Sequence, residues 1–241
     1  MASKIRLYVD HPLGDAQSVP LTRDQAHYLF GVMRLAAGAV VSLINGKSGE
    51  WDAQVIEAGK KGGMLLCQTQ TRPHQIPPDV WLMFAPIRKE RTAFIVEKAT
   101  ELGAARICPV QTEYTNNADR LRVDKLRAHA LEATEQCGGT FVPDVDDLVK
   151  LSKVLDGWDS ARKIMFCDET MLGQASILDA GLIGPWAIII GPEGGFSAKE
   201  RDRLRAMTCA HPVSLGPRIL RADTAAIAAL TLWQNAMGDW S

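Results

Sequence analysis

Twice in succession between residues 188 and 237, an apolar strand runs into a glycine-bearing loop and then into a helix. Trp186, Ala187, Ile188, Ile189 and Ile190 read as a buried strand, and Gly191-Pro192-Glu193-Gly194-Gly195-Phe196 as a turn. Ser197 with Glu200 three residues on forms a capping box, so the next helix is expected to open at Ser197. Val213, Ser214 and Leu215 then read as extended, followed by the loop Gly216-Pro217-Arg218-Ile219-Leu220-Arg221 and a helix opening at Asp223. Loops that leave strand ends and feed helix starts build a ligand crevice at the edge of an α/β sheet.

From Thr224 to Met237 the last helix carries no formal charge. Ala226, Leu230, Trp233 and Met237 cover one side, and Ala225, Ala228 and Leu232 much of the other. A helix apolar all round is buried in a core or an interface, and this one falls short of the ~20 apolar residues a bilayer needs. Its alanines admit a second backbone, so a homodimer contact is expected here. Upstream, strands at 80–86, 106–110 and 163–167 alternate with helices at 92–102 and 123–137, with Gly103 placed to cap the first. That alternation implies a mainly parallel sheet with helices on its faces.

Residues 1–70 follow a different pattern. Leu7, Tyr8 and Val9 suggest a strand, and Thr22 with Gln25 caps a helix through His27, Tyr28, Phe30 and Met33. Strands follow near 40–44, 51–56 and 64–68, with Asn45-Gly46 and Gly62-Gly63 as turns. Short strands at this spacing predict a small β-barrel. Residues 71–79, with Pro73, Pro77 and Pro78, read as a stiff linker, and 80–241 as a second domain.

A net charge of −1 leaves no global basic field to attract nucleic acid, although a local basic face would suffice. Five scattered cysteines without a C-x-x-C pair point to a reducing compartment and away from disulfides or zinc. The five histidines show no ligand spacing, so no metal is expected. Asp10, His11 and Pro12 arrive before any long apolar run, so neither a leader nor a membrane span is expected and the location is read as cytoplasmic.

Gly191, Gly194, Gly195 and Gly216 would let a nucleotide-like ligand approach the backbone closely. Neither loop is a G-x-x-x-x-G-K-[ST] phosphate loop or a G-x-G-x-x-G fingerprint, and Pro192 removes an amide that a phosphate cradle would use. Arg218 and Arg221 suit a phosphate or a developing oxyanion; the plain alternative is an ion pair with Glu193 or Asp223. Asp223, at a helix start, is read as a cap first and a base second, since a carboxylate there is more often a cap.

Taken as a pair, 191–197 (GPEGGFS) and 215–225 (LGPRILRADTA) closely resemble the signature of the RsmE family of the SPOUT superfamily. Lys89-Glu90-Arg91, 96–103 (VEKATELG) and Glu135-Gln136-Cys137 extend the likeness over nearly the whole chain. The resemblance implies an α/β domain with a deep trefoil knot, a rare exception to unthreaded chains, preceded by a PUA-like RNA-binding barrel. It implies an S-adenosylmethionine-dependent methyltransferase acting on N3 of a uridine in 16S ribosomal RNA of the small subunit. The implied cofactor site comprises Ile190, Gly191, Pro192, Glu193, Gly194, Gly195, Leu215, Gly216, Ile219, Leu220, Thr224 and Ala225. Candidates for the chemistry are Arg218, Arg221, Asp223 and Glu193, with no general base assigned; candidate RNA contacts are Arg6, His27, Arg34, Arg88, Lys89 and Arg91. The competing readings are a SPOUT 2′-O-ribose methyltransferase and a non-catalytic ribosome-assembly factor. Two positions depart from the family pattern: Asp223 where glutamate is usual, and Gly139 where an arginine is expected.

Overall fold

The computed structural model describes residues 5–116, 120–171, 173 and 184–240. The chain forms two compact units, one of residues 1–76 with 134–142, the other of 77–133 with 143–241.

In the first unit, strands β1 (Arg6–Tyr8), β2 (Ser18–Pro20), β3 (Val40–Ile44), β4 (Glu50–Ala58) and β5 (Gly63–Arg72) form one sheet in the order β1-β3-β4-β5-β2. Only the β1–β3 pair is parallel. Three register shifts between β4 and β5 help curl the sheet into a half-barrel. Ala53 and Val55 alternate inward along β4, as Leu65 and Cys67 do along β5, and meet Val19, Val41 and Leu43 in one core. Helix α1 (Arg23–Ala26) is opened by the expected Thr22–Gln25 capping box. It widens at once into π-type turns over His27–Val32, with the Met33 amide donating to the Tyr28 carbonyl at 2.9 Å. Ala26 and Leu29 close the core, while His27, Tyr28, Val32, Met33 and Arg34 stay exposed.

Arg6 is not available to RNA, contrary to expectation. Its guanidinium donates to the carbonyls of Thr134 (2.8 Å), Glu135 (2.8 Å) and Gly139 (2.7 Å), and to Glu50 at 3.1 Å. Arg72 adds a bond to the Gly138 carbonyl, and Thr140 accepts from the Gln75 amide. These bonds explain why 134–142 belongs to the first unit. The unit also extends past residue 70 to residue 76, into the segment read as a linker.

The second unit is a parallel sheet. Its strands are β6 (Val80–Phe84), β7 (Arg106–Gln111), β8 (Asp144–Val145), β9 (Val149–Lys150), β10 (Lys163–Cys167), β11 (Trp186–Ile190) and β12 (Ala210–Val213). The order is β12-β10-β11-β6-β7-β8, with β9 also on β7. All five residues of β11 are buried, as a central parallel strand covered on both sides requires. Ile188 and Ile190 face a core containing α2 (Lys89–Glu101) and α6 (Ala222–Met237). Ala187 and Ile189 face the opposite core, with α4 (Leu151–Asp156) and α5 (Ala198–Ala206). Helix α3 (Val123–Cys137) has the bounds read from sequence.

Strand β12 ends where the sequence suggested one would begin. Ala210–Val213 pair with Ile164–Cys167, whereas the Ser214 hydroxyl already bonds Gly216 and turns the chain. From this edge the chain crosses the ends of β10 and β11 to reach α6, which packs on α2, β11 and β6. The β10–β11 connection lies partly outside the described residues, at 172 and 174–183.

The apolar helix α6 is core within its own chain. Trp233 and Ala229 are 2% and 0% exposed, and the buried Gln234 donates to the Leu102 carbonyl at 2.7 Å, satisfying the end of α2. Leu232, at 47% exposed, is the large apolar side chain that α6 turns outward. A dimer contact through this helix would therefore use the Leu232 side, not Trp233 or Ala229.

Candidate active site

Three parallel strands end side by side, and the loops leaving β10, β11 and β12 enclose one crevice. Its walls are Cys167, Asp168 and Glu169 from the first loop, Gly191, Pro192, Glu193 and Gly195 from the second, and 213–222 apart from Pro217 from the third, with Ile190 and Ala225.

Each loop is held by short-range chemistry. After β11, the Gly195 amide donates to the Pro192 carbonyl at 2.9 Å, a turn that needs the positive φ of +68° at Gly195. The buried Phe196 ring folds under Gly191, where an added Cβ would sit 3.0 Å from it, and meets Phe166 edge-on at 5.2 Å. The Ser197–Glu200 capping box is present as read, and Glu200 also accepts from the Glu113 amide at 2.9 Å. After β12, Gly216 has φ +111°, and an added Cβ there would meet nothing within 4 Å. Its carbonyl accepts from the Gly173 amide at 3.2 Å.

Asp168 anchors the loop after β10. It is 3% exposed, accepts from the Thr170 hydroxyl at 2.8 Å and amide at 3.0 Å, and pairs with Arg205. Burial alone would raise its carboxyl pKa, but the Thr170 bonds and the Arg205 guanidinium outweigh that and hold it below the usual range. With the folded pKa depressed, this stabilisation is complete above the unfolded value of about 3.9 and is lost as pH falls through the folded one. Urea-unfolding midpoints should therefore drop on acidification below that range, and Asp168→Asn should flatten the acid limb. Parallel acid limbs for the two proteins would contradict this role. Burial pushes the Cys167 thiol up to about 12, so the crevice holds a neutral thiol and not a thiolate nucleophile.

Ten of the twelve residues read as the cofactor site line the crevice; Gly194 and Thr224 do not. Gly194 instead backs onto Tyr114, with 3.3 Å left for a Cβ. Glu193, Arg218 and Arg221 line the crevice, are exposed, and form no ion pair among the described residues. The alternative of an Arg218 or Arg221 pair with Glu193 or Asp223 is thus not realised. Asp223 lies outside the lining: it is buried, accepts from the Thr224 amide at 3.0 Å, and pairs with Arg91. That pair fixes the start of α6 and occupies Arg91, which had been a candidate RNA contact. Asp168, Glu169 and Cys167 were missed because the sequence, which marks the end of β10 at 167, carries no sign that this end joins the other two loops. Only the register against β11 and β12 brings them to the crevice.

Comparison with known proteins identifies the class. Residues 74–234 match the RNA methyltransferase domain, and residues 21–63 match the RNA methyltransferase PUA domain. The chain is 28% identical to the ribosomal RNA small subunit methyltransferase E of Rickettsia conorii, over 93% of each chain. It is 30% identical to the Synechocystis protein of that name, over 88% of this chain and 71% of that one. The crystal structure of the Neisseria gonorrhoeae methyltransferase E bound to S-adenosylmethionine superposes with a TM-score of 0.88 at 25% identity, over 99% of this chain and 100% of that one. A Legionella pneumophila protein solved with the same cofactor gives 0.87 at 27%, with the same coverage. This chain is an RNA methyltransferase by family and fold, a PUA-like unit ahead of a SPOUT-type α/β unit. Within that class it belongs to the ribosomal RNA small subunit methyltransferase E family.

Proposed function

We propose that the chain transfers the methyl group of S-adenosylmethionine to N3 of a uridine in 16S ribosomal RNA. The observation that carries this reading is the three-loop crevice with Arg218 and Arg221 in its wall, neither in an ion pair among the described residues. The crevice fits the cofactor. Val213, Leu215, Ile219, Leu220 and Ala225 offer apolar surface, while Gly216, with nothing within 4 Å of its Cβ position, leaves its backbone open to a ligand. Glu193 supplies negative charge suited to a sulfonium, whereas Glu169 in the same wall is paired with Arg201 at 3.4 Å. The bound cofactor would supply an electrophilic methyl group.

The chain's own residues would do the rest. Methylation at N3 requires the imide proton to leave, and the resulting negative charge spreads over O2 and O4. Arg218 and Arg221 would donate to those oxygens, where charge develops. Glu193, exposed and without an ion pair among the described residues, would accept the proton or pass it to water. Asp223 acts as a positioning residue, through Arg91 and the start of α6.

RNA would also bind the exposed His27 and Arg34 beside Tyr28 in the first unit, and Arg88 and Lys89 in the second. We read the working species as a cytoplasmic homodimer joined through the second unit. No described helix is long and apolar enough to cross a membrane. Incubating small-subunit RNA with isotopically labelled S-adenosylmethionine, then digesting it to nucleosides, tests the chemistry. N3-methyluridine is the expected product. A 2′-O-methylated nucleoside, or no transfer despite cofactor binding, would overturn the reading in favour of a ribose methyltransferase or a non-catalytic factor.

A further inference from the structure

A second cavity of about 600 Å³ opens in the same α/β unit, between the first turns of α2 and α3. Its lining does not overlap that of the cofactor crevice. The floor is apolar, built by Pro86, Ile87, Ala93, Leu121 and Leu126. The rim is cationic: five Lys or Arg side chains line it against two carboxylates. One of those carboxylates, Glu97, is already engaged by His129 at 3.0 Å. Of the five cations only Arg122 has an acidic partner among the described residues, Asp124 at 2.8 Å. Arg88, Lys89, Arg120 and Lys125 are exposed and unpaired among those residues.

Four like charges around an apolar floor repel one another, and none has an acidic partner among the described residues. They are complementary to a ligand with a flat apolar body and a polyanionic edge. An unstacked nucleotide in single-stranded RNA has that chemistry: its base would cover the floor and its flanking phosphates would meet the rim. The position also favours an RNA strand. Arg91, two residues after Lys89, holds Asp223, and Asp223 follows Ala222 in the wall of the cofactor crevice. One ion pair therefore links a residue next to the cavity lining with a residue next to the crevice lining, as a strand occupying both requires.

We infer that this cavity is an RNA subsite that seats one unstacked nucleotide of the substrate and holds its phosphates with Arg88, Lys89, Arg120 and Lys125. The inference rests on the methyltransferase reading above and adds a second anchoring point to it.

The test uses the full chain and a single-stranded oligonucleotide from 16S ribosomal RNA. In the double variant Arg120→Ala, Lys125→Ala, RNA affinity should fall at least ten-fold. The slope of log affinity against log salt should become shallower by ~0.7 per lost contact. Calorimetric affinity for S-adenosylmethionine should stay at the wild-type value, which reports an intact fold. Ala93→Phe, which fills the floor and leaves every cation, should weaken binding with the salt slope unchanged. KM for RNA should rise in both variants, with kcat much less affected. Wild-type RNA affinity and slope in the double variant would overturn the subsite while leaving the methyltransferase reading intact. Failure of the wild-type protein to bind or methylate RNA would overturn both. Loss of binding in the double variant but not in Ala93→Phe would mean that the rim holds phosphate alone, and would overturn the seated base.

Discussion

Gly216→Val should lower affinity for S-adenosylmethionine roughly ten-fold to a hundred-fold while changing the melting temperature little. Gly216 has φ +111°, a conformation that a β-branched residue reaches only at a cost of about 1–3 kcal/mol. The loop is partly exposed, and an added Cβ would meet no neighbour, so a valine can escape by relaxing φ. The free protein then avoids most of the strain. Relaxation carries the amide and carbonyl of residue 216 out of the crevice wall, and binding must draw them back. The strain therefore appears in the binding free energy, where each 1.4 kcal/mol is a factor of ten. Gly194→Val should have the smaller effect, because Gly194 lies outside the lining and faces Tyr114. Calorimetry on the folded variants decides. Wild-type affinity in Gly216→Val would remove this loop from the cofactor site.

Ala229→Glu should abolish folding of the second unit, whereas Leu232→Glu, three residues away on the same helix, should leave it folded and weaken self-association. Ala229 is 0% exposed against β-sheet and α2, so a glutamate there is an unpaired charge in an apolar core. The cost is several kcal/mol, a large part of a typical stability of about 5–15 kcal/mol. Leu232 is 47% exposed, and a glutamate there remains in water until a second copy arrives. Thermal unfolding and sedimentation separate the two effects. A cooperative wild-type transition in Ala229→Glu would contradict the packing of α6. Sedimentation of Leu232→Glu identical to wild type would place any dimer contact elsewhere.

The difference between those two positions shows what local pattern does and does not contain. Residues 224–237 are uncharged, which says that the helix is buried but not by what. Trp233 and Ala229 could equally have faced a partner chain, and only the packing of α6 on α2, β6 and β11 assigns them to the core of their own protomer. Arg6 and Arg91 show the same limit for charge. A single arginine in a sequence reads as a solvated cation. Here Arg6 binds three carbonyls more than a hundred residues away, and Arg91 binds Asp223 across 132 positions.

Short-range chemistry was legible from the chain alone. The capping boxes at Thr22 and Ser197, the buried strand Trp186–Ile190, the bounds of α3, the glycines of two loops and the family signature all depend on residues within a few positions of one another. Tertiary structure alone decided which loop joins those two. Asp168 and Glu169 reach the crevice because β10 pairs in register between β11 and β12, although 17 residues of chain separate Asp168 from Trp186 in β11. It also decided that Asp223 holds a helix in place, that Arg218 and Arg221 form no ion pair among the described residues, and that five cations line a second cavity. The physical reason is common to all of these. Capping, turn formation and alternation are settled by neighbours in sequence, whereas a charge's role depends on which distant groups the fold brings within hydrogen-bonding reach.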